Sequence, residues 1–233
     1  MEMLLSRAAS TKTVDERFQV RHAARPHHDS ISIDAEHLHP ALRTWDEDYL
    51  IHWTRACHGP WPGEDAAAFY DDLICSGDVY CRSALLTLQR ILRERTLRAS
   101  GWRIGGKRPM VAFTELSPIE SLPLMRWRAR WSQWSFEPHG VAFRRDWAIS
   151  RGVRPVRYVA EEEWRLIPVD ERPFCHRRGR LATLWPAERE WRHAGDFTFA
   201  DAPPGAMRFI VRSAADAAQL HGLTNAPVDA IMC

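Results

Sequence analysis

Lysine is almost missing from this chain. Of 32 basic residues only Lys12 and Lys107 are lysine, which leaves 32 − 2 = 30 arginines. They stand against 30 Asp and Glu, so the formal net charge is only +2. The arginines are spread along the chain without a block of like charge, and composition alone therefore names no polyanionic partner. Cysteine is scarce and odd in number (Cys57, Cys75, Cys81, Cys175 and Cys233). That argues against a disulfide framework, and the lack of any Cys-x-x-Cys argues against a zinc knuckle. No apolar run approaches the ~18 residues of a membrane-spanning helix, and mean hydropathy is −0.40. The first ten residues hold a Leu-Leu pair but no apolar core of signal-peptide length, so a cytoplasmic protein is expected. Also missing are the GxxxxGK[ST] phosphate loop, GxGxxG, G-x-S-x-G and HExxH.

What is present suits a folded chain. Its 233 residues are 45% hydrophobic and 27% charged, close to the globular average, with eleven tryptophans. Residues 1–40 are polar and aperiodic and read as a flexible N-terminal arm. The histidines there (His22, His27, His28, His37 and His39) are irregularly spaced among prolines, which points to an arm and to no metal site. Residues 41–233 then read as one domain. Tyr49–Thr54 has the aromatic and β-branched character of a strand, and Cys57–Gly63 is a Pro/Gly loop. Glu64–Ile74 has helical spacing, with Gly77 ending it. Ser83–Arg95 is the clearest helix, with Leu85, Leu88 and Leu92 at i, i+3 and i+7.

Further on, Pro109–Thr114 reads as a buried strand, and Ser117-Pro118-Ile119-Glu120 as a capping box with proline at the first helical position. Gly140–Arg144, Arg154–Val159 and Met207–Arg212 read as strands, Asp146–Ser150 as a helical turn, and Ser213 as the cap of a helix through Leu220. Gly101–Gly106 reads as a plain loop. Early helices, later strands and irregular connections describe an α+β fold: a single compact domain with a central, mostly antiparallel, split sheet and flanking helices.

Three constellations can carry chemistry. His52 and Thr54 share one face of the first strand, where an imidazole and a hydroxyl can hold a ribose or amide edge; a core histidine bonded to backbone fits the same pattern. Glu188, Glu190 and Arg192 share a face if Glu188–His193 is extended. A carboxylate on a rigid strand can hold a sugar hydroxyl and stabilise an oxocarbenium-like centre, and two can divide that work. A solvated ion-pair face is the other reading. Third, Arg126, Arg128 and Arg130 alternate with Trp127, Trp131 and Trp134. Guanidinium groups and indoles suit nucleic acid. On a helix, however, the three tryptophans fall at i, i+4 and i+7, which makes a core stripe the expected arrangement.

Taken in order, HWT, the leucine-rich helix ending in LRAS, VAFTELSP, PHGVAFRRDWAISRGVRPVRYV and EREWR resemble a bacterial family of abortive-infection (phage-resistance) proteins. The resemblance runs from about Leu50 to Arg192, and His139 stands where that pattern has Tyr. At a more remote level the layout is similar to the ADP-ribosyltransferase-like fold. That likeness implies NAD as substrate, His52 as the ribose-binding residue, Tyr158 as the aromatic under the nicotinamide and Glu190 as the catalytic carboxylate. Glu188 would be its companion, and Thr54 and Thr114 would offer hydroxyls. The family is also placed on the antitoxin side of two-gene systems. This implies instead a non-catalytic component that binds a toxin partner or nucleic acid through the Arg126–Trp134 stretch.

Overall fold

The computed structural model describes residues 17–21, 30–34, 45, 48–100, 108–125, 127–128, 133–177 and 189–231. Seven strands make the central sheet: β1 (Tyr49–Trp53), β2 (Met110–Thr114), β3 (Gly140–Arg144), β4 (Arg154–Pro155), β5 (Glu190–Ala194), β6 (Met207–Val211) and β7 (Val228–Ala230). Their order is β7-β6-β3-β1-β2-β5-β4, and every pair is antiparallel except β6 with β7. The fold is a mixed α and β domain around a large, mostly antiparallel sheet. Helices α1 (Ala66–Cys75), α2 (Ala84–Glu94), α3 (Pro118–Ser121), α4 (Arg145–Ser150), α5 (Glu161–Leu166) and α6 (Ala214–Leu220) surround it. None is long and apolar enough to cross a membrane.

Alternation along the strands divides their side chains between two cores. Leu50, Val111, Phe113, Val141, Phe143, Phe209 and Val211 are buried on one face with Leu88 and Leu92 of α2 and Leu220 of α6. Phe143 is its hub, with Phe197 and Phe199 at ring-centroid distances of 5.1 and 5.2 Å. Such aromatic pairs add ~0.5–1.5 kcal/mol beyond the area they bury. Ile51, Trp53, Ala142 and Ile210 form the opposite, smaller core with Trp45 and Ile231.

The helix signals act as their chemistry dictates. Ser83 and Ser213 accept from backbone N–H groups at the starts of α2 and α6, and both halves of the Ser117/Glu120 capping box are present. Gly140 permits a close approach of β3 to β1. A Cβ there would stand 2.7 Å from the His52 carbonyl oxygen and 3.0 Å from the Trp53 ring.

Several sequence expectations are corrected. The described residues of the Arg126–Trp134 stretch are strand and not helix, and Trp131 lies outside the described residues. Trp127–Arg128 pairs with Gln133–Trp134 in a short antiparallel ladder, and both indoles are exposed. Trp127 and Trp134 meet as a cross-strand pair in place of two positions of a helical stripe. Arg154–Val159 is two strands, not one: Arg154–Pro155 joins the central sheet, and Arg157–Val159 pairs in parallel with Cys175–Arg177. Separately from these corrections, Arg17–Arg21 and Ser30–Asp34, within residues 1–40, form an antiparallel pair. The five histidines of residues 1–40 lie outside the described residues, as does Gly101–Gly106.

Candidate functional site

Strand pairing fails at one place, and the site lies there. β1 is joined to β3 over five residue pairs and β2 to β5 over five, but β1 and β2 meet only at Ile51 and Thr114. In a continued register Trp53 would face Ala112. Instead the His52 side chain reaches the Ala112 carbonyl oxygen, with Nδ1 at 2.8 Å. An imidazole takes the place of a ladder hydrogen bond, and the seam opens. A cleft of about 470 Å³ runs through it, within the range of small-molecule sites (about 300–1,000 Å³).

By register, Glu190, Thr114 and Ile51 share one face of the sheet, and His52 is on the other. The open seam nevertheless lets both faces line one cleft, so His52, Thr54, Thr114 and Glu190 all border it. Tyr158 does not. Its ring stacks at 5.8 Å on His176, whose Nε2 is 3.9 Å from Glu190 Oε2. Tyr158 therefore stands behind the carboxylate.

A carbonyl oxygen only accepts, so His52 Nδ1 carries the proton and Nε2 holds a lone pair. Burial drives the ring down to a pKa of about 4, with the Ala112 bond opposing and the Arg55 charge assisting. At neutral pH His52 is thus an uncharged hydrogen-bond acceptor. Glu190 is held by Arg192 at both oxygens, Nε–Oε1 at 2.7 Å and a terminal nitrogen to Oε2 at 3.0 Å. Arg192 is 4% exposed and also donates to the Pro173 carbonyl at 2.5 Å. This bidentate fork fixes the carboxylate's plane. Burial and the Arg192 charge lower the His176 pKa, so that ring is neutral beside it.

The hydroxyls are less available than expected. Thr54 Oγ1 donates to the carbonyls of His139 (2.9 Å) and Ala84 (3.2 Å), and Thr114 Oγ1 accepts from the Leu116 N–H at 3.1 Å. Glu188 lies outside the described residues. The strand begins at Glu190, and Arg189 before it has φ +41°. Arg126 and Arg130 also lie outside the described residues. Of Arg128 only the backbone is described, on the Trp127 ladder.

Sequence reasoning missed the opposite wall. Trp61, Arg90, Glu94 and Arg98 border the cleft. Burial alone would raise the Glu94 pKa, but bonds from Arg98 and Arg90 outweigh it and hold the carboxyl below its usual value. Arg90 and Glu94 were visible as an i, i+4 pair on α2, whereas Arg98 lies beyond the end of that helix. Trp61 gave none beyond its Pro/Gly loop. It is placed by the Arg82 guanidinium, 3.8 Å from its ring centroid, and by an Nε1 bond to Thr87 Oγ1 at 3.2 Å. Among the described residues no group of three His, Cys, Asp or Glu is arranged to hold a metal ion.

No model of a known protein family matches the chain. No curated protein and no solved structure matches it either.

Proposed function

We propose that the chain is a bacterial phage-defence protein whose seam cleft takes NAD as substrate and consumes it, by ADP-ribosyl transfer to a macromolecule or by hydrolysis. The observation that carries this reading is that His52 and Glu190, from strands far apart in sequence, border one cleft at a break in the sheet. The residues suit the substrate. Trp61 borders the cleft with an indole for a ring, His52 offers a neutral acceptor for a ribose hydroxyl, and Arg55, Arg90 and Arg98 bring positive charge to the lining, with Arg90 and Arg98 paired to Glu94.

In such a reaction the C1′–N bond breaks, nicotinamide leaves with the electron pair, and positive charge develops on the ribose. Water or an acceptor nucleophile then forms the new bond at C1′ and releases its proton. Glu190, oriented by Arg192, places negative charge opposite that centre, and His52 Nε2 accepts from the ribose and fixes its pose. The ADP-ribosyltransferase-like assignment of the fold belongs to this same proposal, supported by the open seam. Nicotinamide release from NAD, followed by chromatography, tests it. Release by wild type and its loss in Glu190→Gln are expected; no release by wild type, or equal release by the variant, overturns the reading.

A second reading has its own observation. Trp127 and Trp134 are 51% and 42% exposed, with ring centroids 6.1 Å apart, on the ladder beside Leu124 and Ser135 of the cleft rim. Exposed indoles next to arginines suit unpaired bases or a partner protein, as a non-catalytic antitoxin or binding component requires. Gel shifts with single-stranded RNA decide it. That reading expects binding that weakens with salt and in Arg126→Ala and Arg130→Ala.

A further inference from the structure

Helix α1 is anchored by one side chain. Phe69 is its only buried residue, and the other nine positions are exposed. Helices in globular proteins gain most of their stability from packing an apolar face, so this arrangement is unusual. Of the nine exposed residues only Asp71 and Asp72 are charged. Tyr70, Leu73 and Ile74 lie at i, i+3 and i+4 with 60%, 39% and 81% exposure, Ala66 and Ala67 continue the stripe one turn earlier, and Val79 follows at 65%.

Charge on this segment has one sign. Between Arg55 and Arg82 there is no lysine or arginine, in a chain that has 32 of them, but there are Glu64, Asp65, Asp71, Asp72 and Asp78. The nearest cation does not offset them at the surface. Arg82 is 1% exposed and is consumed by Glu64 at 2.6 Å and Asp72 at 2.9 Å. Asp71 and Asp78 make no ion pair among the described residues. The result is an apolar stripe one helix face wide with acidic flanks.

We infer that the exposed face of α1 is a docking surface for a basic amphipathic helix of a partner protein. The stripe matches the apolar face of such a helix, and the carboxylates match arginine or lysine on its flanks. A second copy of this chain would present the same acidic flanks and repel. The surface is independent of the NAD reading. It is tied mechanically to the cleft, because Arg82 covers Phe69 of α1 at 5.4 Å and Trp61 of the cleft wall at 3.8 Å.

The test is fluorescence anisotropy with a labelled helical peptide bearing leucine along one face and arginine on both flanks, beside a control with glutamate replacing arginine. The arginine peptide is expected to bind the full chain. The affinity should fall about tenfold or more in the double variant Leu73→Ser/Ile74→Ser. It should also fall when salt rises from about 0.1 M to about 1 M, which shortens the screening length from about 10 Å to about 3 Å. The substituted residues are exposed, so an unchanged melting temperature shows that the variant is folded. Failure of the arginine peptide to bind, equal binding of the glutamate peptide, or equal binding by the folded double variant overturns the inference. So does a wild-type dimer in light scattering that the double variant dissolves, since a second copy would then be the occupant.

Discussion

The two halves of the sheet are built differently. In β7-β6-β3-β1 the ladders run over three to five residue pairs, both faces carry cores, and Phe143 is fully buried. In β2-β5-β4 the ladder from β2 to β5 is equally long, but the half is joined to the rest by one residue pair. Ala112, in the middle of β2, is exposed. Both halves bury hydrocarbon, since Val111 and Phe113 of β2 lie in the larger core, but the second half adds polar connections: His52 to Ala112, Arg192 to Glu190 and Pro173, and Trp191 Nε1 to Glu115 at 3.0 Å. The weak seam is the place where the cleft opens.

The second half of the sheet is most sensitive at Arg192. Arg192→Ala leaves the Glu190 carboxylate half-buried without its fork, and a loss of about 3–5 kcal/mol in urea unfolding is expected. A loss under about 1 kcal/mol would show that the second half does not rest on this pair. His52 comes next. Its ring titrates near 6.5 in the unfolded chain and near 4 in the fold. Between those values the unfolded chain binds a proton that the fold refuses, so stability falls as pH drops from 6.5 to 4, by at most about 3 kcal/mol. In His52→Asn that part of the slope disappears, while contributions from His139 and His176 remain in both proteins.

The tightly laddered half has its own test in Gly140→Ala. The new methyl group meets backbone and the Trp53 ring, and should cost about 1–3 kcal/mol through displacement of β1. The smallest effect belongs to Ser117→Ala, which removes half of a capping box and should cost about 1 kcal/mol.

Most of the regular structure was legible in the sequence because its signals are local. Ser83, Ser117 and Ser213 mark helix starts by their own side-chain chemistry, and the leucine spacing of α2 needs no partner to be read. The seam was not legible in that way. Its opening depends on one histidine bonding a carbonyl 60 residues away, and no local pattern records such a contact. His52, Thr114 and Glu190 were named from residue type and order, but the faces they occupy follow from register. Tyr158 was placed wrongly with respect to the cleft because a parallel pairing with Cys175–Arg177 turns it toward His176. The tryptophan stretch misled because its spacing fits a helical stripe and a cross-strand pair equally, and only the paired partner decides between them.

The central claim, that the open seam at His52 is where the dinucleotide binds, is tested most directly by nitrogen NMR of the protein labelled at histidine, titrated with NAD at pH 7. The account predicts a neutral His52 ring protonated at Nδ1, whose Nε2 resonance moves on addition of NAD as it accepts a hydrogen bond. A charged His52 ring, or a ring whose resonances are unmoved by saturating NAD, would contradict it.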